Sequence, residues 1–154
     1  MQWRTKRNIE NSILKYITEN INSDWSGINI GLSFNYKENN LPFVAIRLDS
    51  ATHKKLELGS TILNSKDLVI IDLYCKGDGQ RLDLVEYLLD ILREGFPYYA
   101  WSPNPADKEN PIITVDGWVY VSIAGDIKID LGENVNICDK FRHRITIELE
   151  RNKK

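Results

Sequence analysis

The chain has 154 residues, 42% of them apolar, and a formal charge of −2 at pH 7, with a pI near 5.7. That length fits a single domain, 1–154, with enough apolar side chains for a real core. The near balance of charge excludes an overall basic field for nucleic acid, and no stretch approaches the length of a membrane span.

Ile9, Ile13, Tyr16, Ile17 and Ile21 recur at three- and four-residue steps, which predicts a helix over 5–21 with a polar outer face. Asn22-Ser23-Asp24 ends it. Ile28, Ile30, Leu32 and Phe34 alternate with polar or small residues and read as a strand. The polar run Asn35 to Asn40 is a turn, and Leu41 to Leu48 is a second strand with Pro42 near its start, where a missing donor is tolerated. Lys55 to Gly59 is a short third strand. After a turn at Asn64-Ser65-Lys66-Asp67 comes the most continuously apolar run, Leu68 to Cys75, placed at the middle of the sheet.

Lys76-Gly77-Asp78-Gly79 breaks that run and leads into a helix over 80–94. Leu84, Val85, Leu88, Ile91 and Leu92 form its apolar stripe, with Arg81, Glu86, Asp90 and Arg93 facing out. Asp78 or Gly79 is the expected cap and Gly95 the expected stop. Residues 96–111 hold four of the five prolines and four aromatics, and read as a long loop of the kind that carries function. Strands over 112–123 and 126–131 flank Ala124-Gly125-Asp126. In the last strand, Phe141 to Glu150, Phe141, Ile145, Ile147 and Leu149 alternate with Arg142, Arg144, Thr146, Glu148 and Glu150, giving one buried face and one charged face. Two helices, one N-terminal and one central, against a mainly antiparallel, mixed sheet make an α+β fold.

No catalytic motif stands out. Lys76 to Gly79 lacks the longer glycine loop and the Gly-Lys-Ser/Thr ending of a phosphate loop, so it reads as a plain turn. His53 and His143 have no clustered partners at zinc-ligand spacing. His143, among the apolar positions of its strand, reads as a core or edge histidine with one hydrogen bond. Asp49, Asp67, Asp72, Asp126 and Asp130 near strand ends, with Glu148 and Glu150 on one strand face, raise a metal-dependent nuclease or hydrolase as the reading from another class. The paired carboxylates and lysine such a site uses are not assembled on one strand. Cys75 and Cys138 lie outside any Cys-x-x-Cys pair and read as free thiols in a reducing compartment. The first residues, Met1 to Arg7, contain no apolar signal core. No catalytic, metal or cofactor residue is therefore assigned. The expected functional residues are interfacial. Tyr98, Tyr99 and Trp101 form either a lid or a contact arm; Arg142, Arg144 and Glu148 form either a wet sheet face or an intersubunit charge row.

Three stretches together resemble the tail terminator, or tail completion, proteins of long-tailed bacteriophages. They are Leu68–Cys75 followed by Gly-Asp-Gly and the helix Arg81 to Leu92, the N-terminal amphipathic helix, and the closing Asp139 to Leu149. The resemblance implies a non-enzymatic homo-oligomer, typically a hexameric ring, that caps the tail tube and joins it to the head. Its partners would be tail tube protein and head-completion or neck proteins, with DNA passing through the lumen without specific binding. Its location would be the virion, and the host cytoplasm during assembly, with no membrane. A head-closure or connector protein of the neck follows the same logic with a different neighbour. A peptide-binding module using the Tyr98–Trp101 segment is a further alternative.

Overall fold

A computed structural model describes residues 5–32, 41–55, 63–130 and 140–151. Helix α1 (Thr5–Asp24) leads to strands β1 (Asn29–Gly31), β2 (Phe43–Lys55) and β3 (Leu63–Cys75). Helix α2 (Asp78–Leu92) follows, then β4 (Phe96–Ser102), β5 (Ile112–Ile129) and β6 (Phe141–Arg151). The strands form one sheet in the order β1-β2-β3-β6-β5-β4. Every neighbouring pair is antiparallel except β1 with β2. The α+β class, the two helices and the mixed sheet are as the sequence implies, and the apolar run Leu68–Cys75 lies inside the sheet between β2 and β6.

Alternation decides which way each strand faces. Val44 and Ile46 of β2, Val69, Ile71 and Leu73 of β3, and Ile145, Ile147 and Leu149 of β6 all join one buried cluster with Ile9, Ile13, Ile17 and Ile21 of α1 and Leu84, Leu88 and Leu92 of α2. Both helices therefore cover the same, inner face. The outer face carries a smaller cluster of Leu41, Ala45 and Tyr74, with Phe43 packed on it. Glu10 accepts a hydrogen bond from the Leu48 N–H of β2 at 3.1 Å, while Asn8 donates to the Tyr98 hydroxyl of β4 at 3.2 Å. Strands near opposite ends of the sheet thus meet one helix, so the sheet curls around α1.

Two tyrosines join the helices. The Tyr16 hydroxyl donates to the Ile91 carbonyl at 2.7 Å, and the Tyr87 hydroxyl lies 2.8 Å from the Asn20 carbonyl and 2.7 Å from the Asp24 carboxylate. Burial and the Asp24 charge hold the Tyr87 phenol above its ordinary pKa, so it remains a donor at any physiological pH.

Several elements differ from the sequence expectation, each for a local reason. Residues 96–102 are the strand β4, not the start of a long loop. Pro97 is tolerated because β4 is an edge, and Tyr98, Tyr99 and Trp101 suit a pleated surface. Asn64 to Asp67 lies inside β3 rather than in a turn, and Lys55 closes β2, so these two strands form one long hairpin. Residues 56–59 of the expected third strand, the Asn35–Asn40 turn, Ser33 and Phe34, Leu131 and Cys138 lie outside the described residues. The cap of α2 is Gly77, extended at φ −153 and without a side-chain cap bond; Gln80 instead accepts from the Lys76 N–H at 3.0 Å. Asp78 sits in the first turn, where its charge meets the positive end of the helix dipole.

Residues 124–126 do not end a strand. Ile123 opposes Ile147 and Gly125 opposes Thr146, so β5 carries one extra residue there, a bulge at Ala124. A second extra residue lies between Trp118 and Val115, opposite Pro97 to Tyr99, where Gly117 takes φ +109.

After α2, Gly95 reverses the chain into β4 at φ +90, and its N–H bonds the Leu92 carbonyl at 3.1 Å. A Cβ there would collide with the Val119 carbonyl oxygen and lie 2.7 Å from Trp118 Nε1. Gly95→Ala should therefore destabilise the fold by about 2–3 kcal/mol, read as a lowered urea midpoint at unchanged slope.

Candidate functional site

The bulge at Ala124 decides what β5 presents to the core. Before it, Val119, Val121 and Ile123 share the inner face with Leu149 and Ile147; after it, Asp126 and Lys128 do so, beside Ile145 and His143. Asp126 Oδ2 thereby comes 2.8 Å from His143 Nε2. On the other side of the ring, Arg81 Nη1 lies 2.7 Å from His143 Nδ1. A guanidinium can only donate, so Nδ1 must be the bare nitrogen and Nε2–H must donate to Asp126. The geometry thus specifies a neutral imidazole in the Nε2–H tautomer. Arg81 also donates from Nε to Asp78 Oδ1 at 2.9 Å, and Lys128 Nζ stands 3.7 Å from the same oxygen. Bonding to Arg81 holds the Asp78 carboxyl below the usual range.

His143 therefore makes two hydrogen bonds, not the expected one. Arg81 is 6% exposed, although it was expected to face out. Its position was readable: 81, 84, 85, 88 and 92 follow the three-four spacing of one helix face. Both ring nitrogens are occupied, leaving no lone pair aimed at a cleft for base catalysis.

A second polar cluster lies on the outer face. Asp72, fully buried within the apolar run of β3, accepts from Arg144 Nε at 2.9 Å and Nη2 at 3.1 Å, and from Arg142 Nη2 at 2.7 Å. Strand pairing positions all three: Asp72 opposes Arg144, and Tyr74 opposes Arg142, whose guanidinium lies 4.9 Å above the tyrosine ring. Hydrogen bonding to Asp72 raises the Arg144 pKa above its ordinary value. Two positive charges on one carboxylate satisfy its oxygens, so Asp72 is engaged inside the fold.

The expected interface residues are divided by the structure. Tyr98 is buried, with Arg151 only 3.7 Å above its ring. Tyr99 and Trp101 are half-buried and meet edge to face at 6.0 Å. Arg142 and Arg144 grip Asp72, while Glu148 is exposed between Leu68 and Ser122. The structure thus brings Arg142 and Arg144 together and sets Tyr98, Tyr99 and Trp101 along β4, with Glu148 apart from both groups. His53 falls in β2 opposite Ser65. Among the described residues, no group of three His, Cys, Asp or Glu side chains is placed to hold a metal ion, and no helix is long and apolar enough to cross a membrane.

What sequence reasoning missed is the apolar surface. Seven of the eight large apolar side chains exposed among the described residues lie on β5: Ile112, Ile113, Val115, Trp118, Tyr120, Ile123 and Ile127, with Leu82 the other. The signal was a strand-forming run with apolar residues in both alternating sets, which two faces of one curled sheet do not both bury.

Asp72→Asn should cost about 2–3 kcal/mol, because it leaves two arginines beside a neutral amide in a buried setting. Glu148→Gln on the same face should stay within about 0.5 kcal/mol of the parent; chemical denaturation measures both. Burial pushes the Cys75 thiol up to about 11, with Arg81 opposing, so at pH 8 almost none of it is thiolate. Mass mapping after alkylation should find Cys75 unlabelled until the protein is unfolded.

Comparison with protein-family models and with the sequences of curated proteins finds no match to this chain.

Proposed function

We propose that the chain is a non-enzymatic assembly protein of a long-tailed phage or prophage, of the tail-terminator class, whose copies join in a ring that caps the tail tube and meets the head. The observation that carries this reading is the concentration of exposed apolar side chains on β5. Apolar side chains gathered on one element, rather than scattered singly, mark a surface that another protein covers. Ile113 and Val115 oppose Trp101 and Tyr99 in the β4–β5 arm, so one side of that arm offers aromatic and branched side chains together. Aromatic anchors of this kind dominate binding at interfaces.

The charged groups support the same reading. Asp72, Arg142 and Arg144 satisfy one another, as do Asp126, His143 and Arg81. These clusters hold strands and helix together. A formal charge of −2 also suits a conduit through which DNA phosphates slide, since a basic lumen would retain them.

The test is self-association of the purified protein, by native mass spectrometry and negative-stain imaging. Rings are expected, with Ile113→Lys or Val115→Lys weakening them by about tenfold or more while circular dichroism stays unchanged. A protein that stays monomeric at every concentration, and is also indifferent to tail tube protein, would overturn the reading.

A further inference from the structure

Strand β5 outruns its neighbour β4. Their pairing stops where Phe96 meets Val119, and Tyr120–Ile129 is bonded to β6 alone. Among the described residues no strand pairs with the other edge of this stretch, and residues 122–128 are all exposed. Alternate backbone N–H and C=O groups therefore face outward there, a template for another strand.

Protected edges carry devices against such pairing, and β4 shows two of them. Pro97 has no N–H to offer, and the Ser12 hydroxyl accepts from the Tyr99 N–H at 2.9 Å. Among the described residues, the open stretch of β5 has neither. It contains no proline. Its charged side chains are turned inward, Asp126 onto His143 and Lys128 towards Asp78. What it shows on the outer face is Tyr120, 52% exposed, and Ile127, 63% exposed.

We propose that this edge docks the same edge of a second copy, antiparallel across a two-fold axis, with Tyr120 of one copy beside Ile127 of the other. Charge selects that occupant. In β6, Arg142 and Arg144, which together carry one positive charge more than the Asp72 they hold, stand beside Ile129 and Ile127, whereas Glu148 and Glu150 stand beside Ser122 and Tyr120. Antiparallel self-pairing sets the arginine end of one sheet towards the glutamate end of the other, and does so twice; a parallel arrangement sets like charges together. The register follows from the bulge. Because the extra residue at Ala124 moves the outer face from even to odd positions, Tyr120 opposite Ile127 keeps outer face on outer face through both halves. An aromatic residue beside a β-branched one is a favourable cross-strand pair. The contact names one surface of the self-assembly proposed above, and rests on that reading only in requiring that copies associate.

The double variant Tyr120→Cys/Ile127→Cys tests it. Mild oxidation should convert most of the protein to a covalent dimer whose disulfide, mapped by mass spectrometry, joins position 120 to position 127 of the other chain. Each single variant alone should give no such link, and an equimolar mixture of the two should restore it. Ile127→Lys, with circular dichroism as the check on folding, should weaken association by about tenfold or more. Absence of the 120–127 link, or Ile127→Lys associating like the parent, overturns the edge contact. If Val115→Lys alone abolishes association, the assembly reading stands without this contact. A pair that forms through 120–127 but never builds a ring supports the contact and counts against the tail-terminator reading. A parent protein that never associates removes both.

Discussion

A strand of 18 residues beside neighbours of 11 and 7 has part of each edge beyond the reach of those two neighbours. That mismatch governs the molecule. The first part of β5 projects with β4 as an arm beyond the described end of β6, and the last part runs on past the start of β4. The backbone of a strand is satisfied only where another strand, a side chain or water meets it. Length alone therefore creates two surfaces, at opposite ends of one element, before any side chain is considered. Seven of the eight large apolar side chains exposed among the described residues then fall on that same element.

A strand this long also has to change which face it buries, and the bulge at Ala124 does this in one residue. Without it, Ile127 would point inward and Asp126 outward, and His143 would have no acceptor for its Nε2–H. With it, a helix (Arg81), a central strand (His143) and the long strand (Asp126) are joined through a chain of directed hydrogen bonds. Such a chain fixes geometry more than it adds stability, since each buried polar group must first give up water. Its use is positional: it holds the lower half of β5 against α2, while among the described residues no strand covers the adjoining edge.

The elements with one clear period were legible in the sequence. The isoleucine ladder of α1, the stripe of α2 and the alternation of β6 each name their own buried face, and the continuous apolar run of β3 marks a strand covered on both edges. What escaped was set by pairing rather than by periodicity. Residues 96–102 carry Pro97 and read as loop, yet an edge strand accepts a proline whose missing donor faces no partner. Ala124-Gly125-Asp126 reads as a break because a bulge and a turn use the same small residues. Arg81 was misplaced because its charge outweighed its position on the helix face. The acceptor that draws it inward, His143, lies 62 residues away in the chain. The Asp72 cluster was half visible: a lone aspartate inside an apolar run calls for partners, but only the β3–β6 register shows that Arg142 and Arg144 supply them.

The two surfaces of β5 differ in kind. The arm offers side chains from Ile113, Val115 and Trp101, whose contacts tolerate a head-to-tail arrangement and can repeat around a ring. The open edge offers backbone, and backbone pairing across a two-fold axis closes on itself after two copies. A subunit with both does not have to choose. In the proposed assembly, pairs made through one surface would leave the other free, and a ring built through the arm would still present its edges to a second ring or to a neighbour. The inward turn of Asp126 and Lys128 keeps repulsive charge away from the edge, and the arginine-to-glutamate gradient along β6 gives that edge a direction. In the assembly proposed above, geometry and charge on this one strand would set both the order and the limit of association.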